Sequence, residues 1–153
     1  MDIHSFMGSH YRHFNAGELN RCTRSLIEFL SADGQLVLAL AGALSTAQIG
    51  HSLAPAIRAG KIHAISCTGA NLEEDLFLLI AGDDYETVED WRGQSLEQDR
   101  RLFERGMNRV TDVCIPEEEA IRRVESMMLE VWKEAPRLPH EHLYVLLDRI
   151  DPG

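Results

Sequence analysis

Lysine is scarce in this sequence, where only Lys61 and Lys133 occur among 153 residues. Lys61 opens a predicted strand and Lys133 lies near the end of a charged helix, so neither is expected to be a desolvated amine nucleophile. The phosphate-binding motifs G-x-G-x-x-G and G-x-x-x-x-G-K-[ST] are missing, as is the G-x-S-x-G of serine hydrolases. A complete active site is therefore difficult to assemble from these residues alone.

Cysteines and long apolar runs are also few. Cys22, Cys67 and Cys114 are widely spaced, without a C-x-x-C pair. An odd number of cysteines without a secretory signal predicts a reducing, cytoplasmic location. No apolar run reaches membrane-spanning length.

Positive charge is sparse as well, since the formal net charge is −10 and no block of Lys and Arg occurs. Nucleic-acid binding is therefore not expected. An acidic surface suits cationic partners such as polyamines, but it is also common on ordinary soluble proteins.

The sequence is organised around residues 35–79. The apolar runs Gln35–Ala41 and Lys61–Cys67 predict two strands buried on both faces, and Gly42–Gly60 between them carries helical spacing. This order predicts an α/β fold with a parallel sheet flanked by helices. Ligands of such sheets bind beyond the carboxyl ends of the strands, here Gly42–Thr46 and Thr68–Glu74.

Acidic residues follow the second predicted strand. Asn71 is predicted to cap the next helix, with Glu73, Glu74 and Asp75 in its first turn. Two interpretations remain open: the acids only complement the helix dipole, or Glu73 and Glu74 face a ligand crevice. Carboxylates there would repel a pyrophosphate and attract an amine, so they favour a ribose, a nicotinamide edge or a polyamine.

The flanking segments predict amphipathic helices. Asn15 is predicted to cap a helix that buries one stripe, formed by Leu19, Cys22, Leu26 and Leu30. Ser95 and Gln98 form a second capping-box pattern. His10 and His13 could share one side of a helical turn, but no further ligand of metal-site spacing is nearby, and no metal site is predicted.

Four segments resemble the deoxyhypusine synthase family, in particular its bacterial deoxyhypusine synthase-like branch. They are LALAGALSTAQIG (Leu38–Gly50), ISCTGANLEEDLF (Ile65–Phe77), MNRVTDVCIPEEE (Met107–Glu119) and PHEHLYVLL (Pro139–Leu147). The resemblance implies a parallel Rossmann-like α/β domain that works with NAD as a tetramer, with active sites between subunits. Such enzymes oxidise spermidine, form an imine on an enzyme lysine and pass the aminobutyl group to a lysine of a translation factor or to another amine.

The resemblance also implies site residues in this chain. The residues that would line NAD are Gly42, Ala43, Leu44, Ser45, Thr46, Thr68, Gly69, Ala70 and Glu74. Glu73 and Glu74 match the acidic pair at the polyamine and nicotinamide end. No catalytic residue is assigned in this chain, because the family's lysine nucleophile belongs to a C-terminal half that this sequence does not contain.

The missing C-terminal half determines which assembly is expected for this chain. Residues 1–153 are expected to form a single N-terminal portion of such a domain, with an arm at 1–14 and an α/β body at 15–153. The chain would be a fragment or one half of a split enzyme, completed by a companion chain, by homo-oligomerisation or by both, because half a sheet leaves strand edges unpaired. The alternatives are a non-catalytic nucleotide-binding or regulatory subunit, a homospermidine synthase-like activity on a free amine, or a complete enzyme of other chemistry built on the acidic cluster.

Overall fold

The computed structural model describes residues 1–150. Seven α-helices form, at Ile3–His10 (α1), Phe14–Ser31 (α2), Gly50–Arg58 (α3), Gly69–Ala81 (α4), Leu96–Glu104 (α5), Arg123–Glu134 (α6) and Pro139–Ile150 (α7). Five strands form, at Val37–Ala39 (β1), Ala64–Ser66 (β2), Glu86–Thr87 (β3), Met107–Val110 (β4) and Val113–Pro116 (β5). The chain divides into two compact units, termed here the sheet unit (residues 1–40 and 51–66) and the core unit (residues 41–50 and 67 onward). None of the helices within residues 1–150 is long and apolar enough to cross a membrane.

The sheet unit contains the predicted parallel strand pair. β1 and β2 pair in parallel with Leu38 opposite Ile65, and the Leu40 N–H donates to the Ser66 C=O at 2.8 Å. The prediction of a mixed α/β fold with parallel strands is thus confirmed, whereas a larger Rossmann-like sheet stays a prediction. The predicted burial on both faces is wrong for this chain, since Val37 is 65% exposed and Ile65 39%. Side chains on the two faces of a strand are buried only by helices or a second layer packed against those faces, and within the sheet unit these side chains are not so covered.

Helix α2 of the sheet unit differs from its prediction in two ways. It begins at Phe14, after His13, whose side chain makes no capping hydrogen bond, so the prediction of Asn15 as the cap is wrong. The predicted buried stripe is also wrong, because Leu19 is 52% and Leu26 44% exposed, and Cys22 is exposed. An amphipathic pattern predicts a face that can be buried, and burial still requires a partner surface.

Helix α3 is shorter than predicted. Residues 42–49 form consecutive turns, and the helix begins only at Gly50 and ends at Arg58. Two residues of these turns have left-handed backbone conformations, Ala43 with φ of 61° and Gln48 with φ of 57°. Because left-handed conformations interrupt a right-handed helix, the prediction that Gly42–Gly60 is helical is wrong for its first part.

The core unit has its own sheet and hydrophobic core. β4 and β5 form an antiparallel hairpin, and β3 adds to β5 in the order β3-β5-β4. Helices α4, α6 and α7, together with β5 and the π-helical turn at Glu117–Arg122, supply the buried cluster Leu76, Phe77, Ala81, Ile115, Ala120, Val124, Val131 and Leu146. The predicted capping box of α5 is confirmed, since the Ser95 N–H donates to Gln98 Oε1 at 2.8 Å and the Gln98 N–H donates to Ser95 Oγ at 3.3 Å.

Candidate functional site

The candidate site is formed by residues 41–46 and by the beginning of α4, all within the core unit. Thr68 precedes the helix in extended conformation (φ −77°, ψ 156°), and its side chain makes no capping hydrogen bond. Asn71 is the third residue of the helix, so the prediction that it is the cap is wrong. The prediction that Glu73, Glu74 and Asp75 fill the first turn is also wrong, because they follow that turn.

The Asn71 side chain links the two segments that follow β1 and β2 in the sequence. Its Oδ1 accepts from the Ser45 N–H at 3.2 Å and from Ser45 Oγ at 3.4 Å. Its Nδ2 donates to the Ala41 C=O at 2.9 Å and to Thr68 Oγ1 at 3.2 Å. Asn71 and Ser45 are each 3% exposed. The amide therefore uses both its donor and its acceptor groups inside the protein.

Glu74 forms a second link between the same segments. Its Oε2 accepts from the Thr46 N–H at 3.0 Å, and Thr46 itself is only 6% exposed. The hydroxyl of Thr46 is buried without a hydrogen-bond partner within the described residues. A buried hydroxyl usually has a partner, so Thr46 Oγ1 is a group that a bound polar ligand could satisfy.

The pKa of Tyr85 depends on its burial and on the negative charge of Glu74. Its hydroxyl is buried and has no partner within residues 1–150. Burial and the negative charge of Glu74 raise the pKa of Tyr85 to about 12. The phenol is protonated at neutral pH, as an ordinary tyrosine is, and the raised pKa extends that state to more alkaline pH.

Glu73 occupies a different environment from Glu74. It is exposed, and it lines a groove of about 490 Å³ in the core unit together with Gly69. The walls of this groove are mainly apolar, with Leu76, Phe77 and Met128 among them. A carboxylate beside an apolar groove can hold a cation that carries an aliphatic chain.

The predicted site residues fall into two groups. Ser45 and Thr46 are buried and Leu44 and Glu74 are half-buried, whereas the exposed members are Gly42, Ala43, Thr68, Gly69, Ala70 and Glu73. Hydrogen bonds bring Ser45, Thr46, Thr68 and Glu74 together through the links described above. A Cβ atom at Gly42 would lie 3.7 Å from Thr68 Oγ1, so this part of the 41–46 segment also lies close to Thr68.

Asn71 is the residue of this arrangement that the sequence prediction missed. A helix cap was predicted because Asn often begins helices, yet Thr68, three residues earlier, is also a residue type that begins helices. That spacing leaves Asn71 inside the first turn, where a short polar side chain can reach a neighbouring segment. Among residues 1–150, no group of three or more His, Cys, Asp or Glu side chains is placed to hold a metal ion.

Fold and site together define a mixed α/β protein whose candidate site combines small, hydroxyl-bearing and carboxylate side chains. Comparison with protein-family models gives a match over residues 5–147 to "DS: Deoxyhypusine synthase". The chain belongs to the deoxyhypusine synthase family, and all four of the resembling segments lie within the matched residues. A search of curated proteins finds no match.

Proposed function

We propose that this chain contributes part of the NAD and polyamine pocket of an enzyme that transfers the aminobutyl group of spermidine to an amine acceptor. Family membership gives the reaction class. The single structural observation that carries the pocket is the pair of links, through Asn71 and Glu74, between segment 41–46 and the start of α4. These are the two segments that follow the parallel strands, where ligands of α/β proteins bind.

The NAD part of the proposal is supported by the side chains in these segments. The residues that would hold NAD are Gly42, Ala43, Leu44, Ser45, Thr46, Thr68, Gly69, Ala70 and Glu74. Thr46 Oγ1 lacks a partner, and a Cβ added at Gly69 would meet no atom within 4 Å, so a ligand can approach the backbone there. The start of α4 also carries no capping side chain, and although the Asn71 N–H donates to the Thr68 C=O at 3.1 Å, the N–H groups of Gly69 and Ala70 precede the helical hydrogen bonds and can meet polar atoms. NAD, when bound, would supply the hydride acceptor for oxidation of the amine.

The polyamine part is supported by Glu73 and the adjoining groove. A polyamine alternates ammonium groups with aliphatic segments, which matches an exposed carboxylate beside apolar walls. Glu73 would bind an ammonium group, and Glu74 would face both the amine and the cofactor. A lysine of a protein acceptor and a free amine acceptor such as putrescine both fit this chemistry.

The proposal includes a companion polypeptide. Both lysines of the chain, Lys61 and Lys133, are exposed, whereas a lysine nucleophile works from a desolvated position. The apolar side chains of β1 and β2 are uncovered. A further polypeptide that carries the lysine nucleophile and extends this sheet would answer both needs, with residues 1–153 as the N-terminal portion of the domain. A tetramer-like assembly agrees with this arrangement.

NAD binding by the assembled enzyme tests the proposal. The chain would be co-expressed with a deoxyhypusine synthase-family polypeptide that carries the lysine, and NAD⁺ would be titrated onto the purified complex by calorimetry. Glu74→Ala removes the carboxylate that is proposed to face the cofactor and that holds the Thr46 N–H. A charged contact with NAD worth about 1.5–3 kcal/mol corresponds to a rise of the NAD Kd of about 10- to 100-fold. Thr68→Trp should block the same segment. Glu118→Ala, at an exposed carboxylate outside the site, is the matched control.

The outcomes separate the candidate functions. Spermidine-dependent formation of NADH by the complex supports the transferase, and the acceptor then follows from a comparison of putrescine with a lysine-containing translation factor. NAD binding without NADH formation would instead favour a regulatory nucleotide-binding subunit. If Glu74→Ala and Thr68→Trp both leave the NAD Kd unchanged, the pocket assignment is wrong.

A further inference from the structure

Asn71 differs from every other residue of the site because it satisfies four hydrogen bonds at once. We infer that Asn71 is a positioning residue that fixes segment 41–46 against Thr68, so that the pocket is already formed before NAD binds. This inference rests on the proposed function and goes beyond it, because Asn71 is not among the residues proposed to contact NAD.

The orientation of the Asn71 amide is determined by its partners. The Ser45 N–H can only donate and the Ala41 C=O can only accept, so Oδ1 must face Ser45 and Nδ2 must face Ala41. A carboxylate could keep the contact with Ser45 but could not donate to Ala41. A leucine of similar shape could do neither. The site therefore requires an amide of this length.

Burial makes the loss of this amide costly for the segment. Asn71 is 3% exposed, as is Ser45. Without the amide, the Ser45 N–H would lose its partner inside the protein, and a buried group left unpaired costs about 1–3 kcal/mol. The C=O of the exposed Ala41 would lose its partner as well. The segment would avoid that cost by moving toward solvent. The residues proposed to line NAD would then have to be ordered again when the cofactor binds, which weakens binding.

Amide hydrogen exchange of Ser45 measures the position of the segment directly, in the intact chain and without NAD. In the wild-type chain the Ser45 N–H should be protected by Asn71 Oδ1. Asn71→Leu should accelerate its exchange at least about 10-fold, in keeping with the loss of one buried hydrogen bond. In the assembled enzyme the same substitution should raise the NAD Kd about 10- to 100-fold. Amides of the β4–β5 hairpin should keep their protection, which shows that the core unit remains folded.

Asn108 supplies a matched control. Its Nδ2 donates to Glu117 Oε2 at 2.7 Å in a half-buried position on β4. Asn108→Leu removes a comparable amide, so it should lower thermal stability but leave the exchange of Ser45 and the NAD Kd within about twofold of wild type.

Asn71→Asp covers the case in which Asn71→Leu does not fold. It keeps the Ser45 contact and loses the Ala41 contact, so Ser45 exchange should change less than the NAD Kd.

The results separate this inference from the proposed function. If the wild-type complex does not bind NAD, the proposed function fails and the role of Asn71 toward NAD fails with it. If the wild-type complex binds NAD and the Asn71 variants bind it equally well, only the positioning role is wrong. Unchanged Ser45 exchange in both Asn71 variants would likewise overturn it.

Discussion

The sheet unit and the core unit contain similar apolar patterns but bury them very differently. In the core unit, helices α4, α6 and α7 contribute side chains to one cluster in which Val131 and Leu146 are fully buried. In the sheet unit, whose residues 1–40 and 51–66 are all described, Gly17 is the one buried residue. The apolar residues of α2 and β1 are largely exposed there.

This difference separates two meanings of an apolar pattern. A pattern predicts which face of a helix or strand can be buried, and the tertiary partner decides whether it is buried. The core unit supplies its own partners. The exposed apolar side chains of the sheet unit, such as Leu19, Leu26 and Val37, agree with the companion polypeptide proposed above.

Truncation of a core side chain should have the largest effect on stability. Leu146 is 0% exposed, so Leu146→Ala should lower the free energy of unfolding by about 2–5 kcal/mol. Leu19→Ala in α2, where the side chain is 52% exposed, should cost less than about 1 kcal/mol in the chain alone. Urea unfolding measures the first by tryptophan fluorescence, because Trp91 and Trp132 both lie in the core unit. Circular dichroism measures the second, and equal losses would contradict the comparison.

Gly17 is the position in the sheet unit where an added methyl group should destabilise the fold, as it would in a packed core. A Cβ atom at this position would lie 2.9 Å from the Arg12 carbonyl oxygen, so Gly17→Ala forces the backbone to move. Overpacking of this kind costs about 1–3 kcal/mol, which outweighs the gain in helix propensity. Gly8→Ala in α1 is the control, since its Cβ would meet no atom within 4 Å, and it should stabilise by up to about 1 kcal/mol. Thermal unfolding followed by circular dichroism checks both signs, and stabilisation by both substitutions would show that Gly17 is not tightly packed.

Local sequence signals predicted which helices and strands form. They were less accurate about where these elements begin and end and about which side chains are buried. The parallel pairing of β1 and β2 was predictable because an apolar strand–helix–strand order has few other solutions. The late start of α3 was not, because Ala43 and Gln48 adopt left-handed conformations, which residues of these types rarely favour and which the sequence therefore does not predict. Burial of Leu19 and Leu26 was predicted wrongly, since the pattern of one helix contains no information about its partner.

The location of the candidate site was predictable from the sequence, but its hydrogen-bond network was not. Segments 41–46 and 68–74 could be singled out because they follow the strands, and the structure links them by hydrogen bonds. The role of Asn71 could not be predicted, because the same residue type suits a helix cap and a buried tertiary link equally well. Only the extended conformation of Thr68 decides between the two.

Removal of the capping box of α5 should cause a smaller loss of stability, confined to the core unit. Ser95 Oγ accepts from the Gln98 N–H at 3.3 Å, and Ser95→Ala leaves that group without its partner. The expected loss of stability is about 1 kcal/mol, measured by urea unfolding with tryptophan fluorescence. His13→Ala is the control at the start of α2, where the wild-type side chain makes no capping bond, so no loss from capping is expected. A comparable loss in both variants would mean that the box contributes nothing specific.

The smallest effect is a pH dependence that should also belong to the core unit. Arg109 donates to both carboxylate oxygens of Asp99, from Nε at 2.6 Å and from Nη2 at 2.8 Å. These hydrogen bonds hold the pKa of Asp99 below its usual range. A carboxyl with a lowered pKa stabilises the folded state above its unfolded pKa, which is about 3.9, and loses that contribution as the pH falls through the lower folded value.

Asp99→Asn should therefore flatten the acid side of the stability curve of the core unit. The fluorescence-detected urea midpoint of the wild type should fall on acidification below about pH 4, and that of Asp99→Asn should fall less steeply over the same range. Glu18→Gln is the matched control in the sheet unit, because the pKa of Glu18 is likewise lowered by its hydrogen bond with Arg21. Since both tryptophans report the core unit, Glu18→Gln should leave the fluorescence curve unchanged if the two units unfold separately. A flattened curve in both variants would instead mean that the two units unfold together. The sheet unit and the core unit would then differ in how many side chains they bury, but not in their stability.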